Sequence, residues 1–128
     1  MTERNVVSTS GAPKPIGPYS VGIRCGGWVY ISGQLGLDPA TNEMAAGGVE
    51  AETRRSLQNL SAGLEAAGAS LASVVKTTVF LRDMADFAKM NAVYGEFFTS
   101  EPPARSTVQV AALPRNGAVE IDCVALVE

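Results

Sequence analysis

The chain has 128 residues, of which 46% are hydrophobic and 18% charged, with a net charge of −3 and no histidine. That length and apolar content fit one domain, residues 1–128, built around a single core. The 10 Lys and Arg residues are scattered rather than gathered on a basic face, which argues against nucleic acid as the main partner.

Residues 11–20, GAPKPIGPYS, hold three prolines and two glycines and read as an ordered loop. Residues 21–25 and 28–32 flank Gly26-Gly27 and read as a hairpin, with Val21, Ile23 and Cys25 alternating and Trp28 to Ile31 favouring a strand. Residues 33–48 read as a loop. Residues 49–68 give the clearest helix, because Leu57, Leu60, Leu64 and Ala67 recur at helical spacing and Gly68 follows as a stop. Residues 74–81, VVKTTVFL, are rich in β-branched residues and predict a strand. Residues 84–98 predict a second helix with Phe87, Met90, Val93 or Tyr94, and Phe97 on its apolar side, ended by Pro102-Pro103. Residues 106–113 and 119–127 predict two last strands, joined through Pro114-Arg115-Asn116-Gly117, where Asn-Gly is a tight-turn signal.

The order is β-β-α-β-α-β-β, an α+β fold with a mixed sheet and both helices on one face. The other face needs cover that one small chain does not supply. Subunit contact is the simplest source, and the low charge content agrees with a homo-oligomer.

Two charges interrupt the most apolar part of the chain. Arg105 opens one apolar run and Glu120 stands between Val119 and Ile121 in the next. Arg and Glu are rarely buried unless paired. They are either surface-facing charges on half-exposed strands or parts of a site. Arg offers a planar fork for a carboxylate. Glu can deprotonate a water if its surroundings raise its pKa, which burial would do and a nearby Arg would oppose. If the last two strands pair as a hairpin, Glu120 pairs near Leu113, and Arg105 lies more than about 20 Å away. Either those strands are not neighbours, or the two groups meet across a subunit boundary. The second is favoured, since it also accounts for the uncovered face.

Gly33, in Ser32-Gly33-Gln34 at a strand end, would let a ligand approach the backbone. Tyr19 and Asn91 are a possible phenol donor and amide ligand. Taken alone, each of these reads more readily as structural.

Cys25 and Cys123 lie far apart, with no CxxC, and no Cys/His metal set exists without histidine. Both sit in strand-like contexts and read as buried thiols in a reducing compartment. No apolar run reaches the length of a membrane helix, and MTERNVVSTSG lacks a signal-type apolar region. The expectation is a cytoplasmic protein.

Together the segments resemble the RidA/YjgF family of reactive enamine/imine deaminases across nearly the whole chain. The resemblance is carried by IGPYS at 16–20, YISGQLG at 30–36, SLQNL at 56–60 and EAAGASLASVVKTTVFLRDMADFAKMN at 65–91. It continues through Tyr94, PPARSTVQVAALP at 102–114 and VEID at 119–122. It implies a chorismate-mutase-like fold and a homotrimer with sites between subunits. It also implies cofactor-free hydrolysis of 2-iminobutanoate or 2-iminopropanoate to the 2-keto acid and ammonia. By the same resemblance Arg105 holds the substrate carboxylate and Glu120 activates water, while Tyr19, Ser32, Gly33 and Asn91 line the pocket. Thr107 stands near the catalytic water, where one bacterial branch carries cysteine. Its hydroxyl can still bind a water, but thiol-based regulation there is lost. The competing functions are a non-catalytic keto-acid-binding regulator, a ribonuclease and a holdase-type chaperone.

Overall fold

The computed structural model describes residues 3–128. Its strands are β1 (Arg4–Val7), β2 (Gly22–Cys25), β3 (Trp28–Leu35), β4 (Val74–Leu81), β5 (Ala104–Gln109) and β6 (Val119–Leu126). The helices are α1 (Val49–Ala66) and α2 (Phe87–Phe97), with short 3-10 turns at Leu71–Ser73, Met84–Asp86 and Pro114–Asn116.

Alternation along the strands builds the core. Val29 and Ile31 of β3, Thr77, Val79 and Leu81 of β4, and Val119, Ile121, Cys123 and Ala125 of β6 are all buried on one face. Leu57, Leu60 and Leu64 of α1 and Met90 and Tyr94 of α2 pack into the same cluster. Helix α1 lies across β3 and β6, and α2 lies beside α1, so both helices cover one face, as expected. Helix α1 stops where Gly68 takes a left-handed φ of 84° and the Ala69 N–H returns to the Leu64 carbonyl at 2.9 Å.

The six strands run in the order β1-β2-β3-β6-β4-β5. All neighbours are antiparallel except β4 and β5, which are parallel and joined through α2. This corrects the expected hairpin between the last two strands. β6 inserts between β3 and β4, and β4 separates it from β5. Burial explains the order. β6, VEIDCVAL, buries every second residue and takes a central place, while β5, ARSTVQ, is largely polar and forms an edge.

The connection between them is not a two-residue turn. It passes the end of β4, where the Arg82 N–H donates to the Ala118 carbonyl at 3.0 Å and the Arg82 guanidinium to the Asn116 carbonyl at 2.6 Å. Arg115 and Asn116 take the positive φ values, 58° and 54°, whereas Gly117 sits at −63°. At Gly117 a Cβ would meet Leu35 Cδ2 at 2.8 Å, so any other residue there displaces the end of that side chain.

Two further differences stand out. β1 was not expected; it pairs with β2 from Arg4–Cys25 to Val7–Gly22. β3 also runs to Leu35, past the expected end at residue 32.

Polar side chains of α1 pin the far end of β3. Ser56 Oγ donates to the Gln34 carbonyl at 2.7 Å, and Asn59 Nδ2 donates to the carbonyls of Leu35 at 3.2 Å and Leu37 at 2.8 Å. Glu52 Oε1 accepts from the Ala118 N–H at 2.8 Å, just ahead of β6. Truncating Asn59 leaves two inward carbonyls without that donor. Asn59→Ala is therefore expected to lower the unfolding free energy by about 2 kcal/mol in urea titration.

Candidate functional site

Arg105 reaches its place through the β4–β5 register, in which it lies opposite Thr77. Thr77 is fully buried on the helix-covered face, so Arg105 projects to the same side. Its guanidinium carbon stands 4.7 Å from the centre of the Tyr94 ring and 5.6 Å from that of Phe87, both on α2. Among the described residues the ion pairs are Arg54–Glu96 at 2.8 Å and Arg55–Asp38 at 3.9 Å. Arg105 belongs to neither, and its fork is paired with no carboxylate among the described residues.

Asn91 lies one helical turn before Tyr94. With Arg105, Phe98, Pro102 and Pro103 it lines a hollow of about 330 Å³. The Asn91 Oδ1 atom is buried without a hydrogen-bond partner, and so is Thr107 Oγ1, two residues beyond Arg105 on the same side of β5. An unpaired fork and two unpartnered polar oxygens thus share one side of the sheet edge. A buried polar group without a partner costs free energy that a bound polar ligand can recover.

Glu120 belongs to the opposite face. It stands between Val119 and Ile121, both fully buried, and pairs with Phe80 of β4 and Leu35 of β3. Its place depends on an irregularity in β3. Ile31 pairs with Cys123 and Gln34 with Ile121, so Ser32 and Gly33 together stand where β6 has one residue, Asp122. Gly33 is therefore a bulge residue inside the strand, not a residue at its end. A Cβ at Gly33 would lie 2.7 Å from Glu120 Oε2 and 2.8 Å from Cδ, so the carboxylate rests against bare backbone.

Ser32 ties the bulge to the proline-rich loop. Its Oγ donates to the Ser20 carbonyl at 2.6 Å, and its N–H to the Val21 carbonyl at 2.9 Å. Tyr19, 52% exposed, lines a cleft of about 170 Å³ with Gly33, Leu35, Leu37, Arg115 and Glu120.

Burial first, and the neighbouring Asp122 carboxylate second, push the Glu120 carboxyl above its ordinary value. Burial also raises Asp122, against hydrogen bonds from Thr78 and the nearby Lys76. The cysteines are free, and burial pushes the Cys123 thiol up to about 12, which leaves it unreactive. Among the described residues no group of three or more His, Cys, Asp or Glu side chains is placed to hold a metal ion. No helix among them is long and apolar enough to cross a membrane.

Arg105, Asn91 and Thr107 therefore gather on one face, while Glu120, Gly33, Ser32 and Tyr19 gather on the other. Arg105 and Glu120 lie two strand spacings apart across the sheet, about 10 Å, and three residues apart along it, also about 10 Å, with opposite orientations. The strands that carry them are not neighbours, which was the first of the two sequence alternatives. Thr77, Phe87 and Tyr94 around the guanidinium were not foreseen as site residues. In the sequence the rings occupy apolar helix positions, and only the β4–β5 register brings Arg105 to them.

A sequence profile described as Endoribonuclease L-PSP matches residues 9–127. The chain belongs to the RidA/YjgF family. A 2-iminobutanoate/2-iminopropanoate deaminase of Mus musculus is 48% identical over 123 residues, covering 96% of this chain and 91% of the relative. One of Dermatophagoides farinae is 45% identical over 128 residues, covering the full length of both. The crystal structure of Escherichia coli TdcF with bound serine is 41% identical, with a TM-score of 0.93 over 97% of this chain and 99% of that one.

A carboxyl whose pKa is raised by folding is more easily held in its neutral form. Its contribution favours the fold at low pH and is lost as pH rises through the raised value. Glu120→Gln is therefore expected to melt above the wild type at pH 8. That gap should close as the pH falls to about 4, where the ordinary glutamate also protonates, in thermal scans across the range.

Proposed function

We propose that this chain is a 2-iminobutanoate/2-iminopropanoate deaminase, a single domain over residues 1–128 that works in the cytoplasm as a homotrimer without a cofactor. It adds water across the C=N bond of a reactive 2-imino acid, such as one derived from 2-aminoacrylate, and releases the 2-keto acid and ammonia. The observation that carries this reading is the unpaired Arg105 fork beside the unpartnered oxygens of Asn91 and Thr107. It occurs in a chain 45–48% identical to relatives named for this activity.

Arg105 holds the substrate carboxylate through two parallel N–H···O bonds, which orient the imine as well as bind it. Asn91 completes the polar lining of the hollow beside Arg105, and Thr107 lies two residues along β5 on the same side. Glu120 takes a proton from the attacking water and passes it to the departing nitrogen. Its raised pKa makes it a stronger base than an exposed glutamate. Gly33 leaves room for that carboxylate, Tyr19 lines the cleft with it, and Ser32 ties the bulge to the loop that carries Tyr19.

The two half-sites lie on opposite faces of one sheet, so one substrate reaches both only when the Arg105 side of one subunit meets the Glu120 cleft of the next. Trp28, Tyr30, Val108 and Leu126 are exposed on the face without helices, which supports burial there by another copy.

In a coupled assay a threonine or serine dehydratase generates the imine in situ. The protein is expected to speed keto-acid release, and Arg105→Ala to abolish the effect. Glu120→Gln should slow turnover by about 10²-fold or more while still binding the keto acid. The wild-type acid limb should lie above the ordinary glutamate value of 4.5 and be missing from the residual activity of Glu120→Gln. Keto-acid binding without acceleration would make the protein a small-acid binder instead.

A second substitution tests the support beneath Glu120. Gly33→Ala is expected to keep its melting temperature, because the added methyl displaces a side-chain end. It should lose about 10²-fold in turnover, because the displaced end is the base.

A further inference from the structure

We propose that Tyr94, clamped by Thr77, is a positioning residue that holds the Arg105 guanidinium ready for a carboxylate, with Phe87 as the second support. The proposal rests on the reading of Arg105 as the carboxylate holder.

The geometry is a closed triangle. The parallel register sets the Arg105 backbone directly opposite Thr77. The Thr77 hydroxyl, fully buried, lies 2.8 Å from the Tyr94 hydroxyl in a hydrogen bond that either group can donate. The Tyr94 ring then stands 4.7 Å beneath the guanidinium carbon. One residue of β4 is thus the reference for both ends of the contact. The ring is further fixed by Phe98, whose centroid is 4.7 Å away at a tilt of 36°. Phe87, two helical turns before Tyr94, offers its face at 5.6 Å.

The kind of contact matters as much as its place. An aromatic face attracts the flat side of a guanidinium and uses none of its in-plane N–H donors. A carboxylate partner would have occupied those donors. Here the charge is held on the ring, with an N–H directed to the Tyr94 hydroxyl, and the fork is paired with no carboxylate among the described residues. Burial raises the Tyr94 phenol above its ordinary range, so the hydroxyl remains a neutral anchor rather than a proton source at neutral pH. A long side chain otherwise loses rotamer freedom when ligand binds, and holding it beforehand lowers that cost. This accounts for a tyrosine rather than a phenylalanine at this position. The ring carries the cation, and the hydroxyl keeps the ring from turning.

The test uses the full chain, with pyruvate as the probe and its methyl ester as a control that lacks the carboxylate. Tyr94→Leu is expected to weaken pyruvate binding by roughly tenfold and to raise KM for the imine likewise, with kcat within about twofold. The double variant Thr77→Val/Tyr94→Phe keeps the ring and leaves no orphaned hydroxyl, so it tests the clamp in a folded protein. It should weaken pyruvate about threefold. Methyl pyruvate binding should be unchanged in both. Pyruvate binding equal to wild type in Tyr94→Leu would overturn the proposal, as would equal losses for pyruvate and its ester. Arg105→Ala separates the two readings. If it leaves pyruvate binding intact, the carboxylate role of Arg105 fails and takes the proposal with it. If it weakens pyruvate while Tyr94→Leu does not, only the positioning role fails.

Discussion

The β-pleat sends consecutive side chains to opposite faces, and that alternation governs where chemistry is available in this molecule. Val119 and Ile121 are fully buried beneath α1, so Glu120 between them has to face away from the helices. Arg105 sits opposite the buried Thr77, so it has to face toward them. No rotamer change reverses either assignment. A one-residue slip in register would, but it would also turn the buried set of β4 or β6 to the open side. The burial that stabilises the sheet therefore also fixes the separation of its two charged groups.

The core reaches the Glu120 side through α1 as well. Ser56 and Asn59 place three carbonyl bonds along residues 34–37, immediately after the bulge that contains Gly33. Glu52 accepts from the Ala118 N–H, immediately before β6. Both strands around Glu120 are thus anchored from behind by one helix. These side chains are polar yet almost fully buried, where a polar group is costly unless satisfied, and Asn59 Oδ1 has no partner. Their contribution lies less in net stability than in fixing where β3 bends. With the bend in place, a glycine carries the carboxylate where any side chain would collide with it.

Much of this was legible in the sequence, and the gaps have physical causes. Helix α1 follows from the spacing of Leu57, Leu60 and Leu64, and β4 from its β-branched run. Arg105 and Glu120 stood out because charges in apolar runs are uncommon. Strand β1 was missed because RNVV buries only Val7 and shows no alternation. The hairpin expectation failed because Asn116-Gly117 is a local signal, whereas strand order follows from which segment has most to bury. The apolar β6 outcompetes the polar β5 for a central position. Gly33 was recognised as a close approach, but not as a bulge, because a bulge depends on the partner strand. Thr77, Phe87 and Tyr94 escaped for a related reason. Their connection to Arg105 runs through a pairing between residues 28 positions apart, which no local pattern encodes.

Each half of the proposed site carries a charge whose needs the single chain leaves unmet. Glu120 is half-buried with Asp122 beside it, and both conditions disfavour its ionised form. Arg105 rests on aromatic faces that stabilise its charge and is paired with no carboxylate among the described residues. Removing an ion from water is tolerable only when opposite charge and hydrogen bonds replace the hydration. Under the proposed function an anionic substrate would provide this for Arg105, and a water at Glu120 would provide hydrogen bonding there. Two faces that each lack a partner become one complete site when they close on the same small acid. In the proposed homotrimer, assembly of identical chains would meet this requirement, since every copy carries both halves. On this view the wrong-facing Arg105 is not a defect of the fold. It keeps the cation from pairing with Glu120 inside one chain, where that pairing would lower the pKa that the base needs.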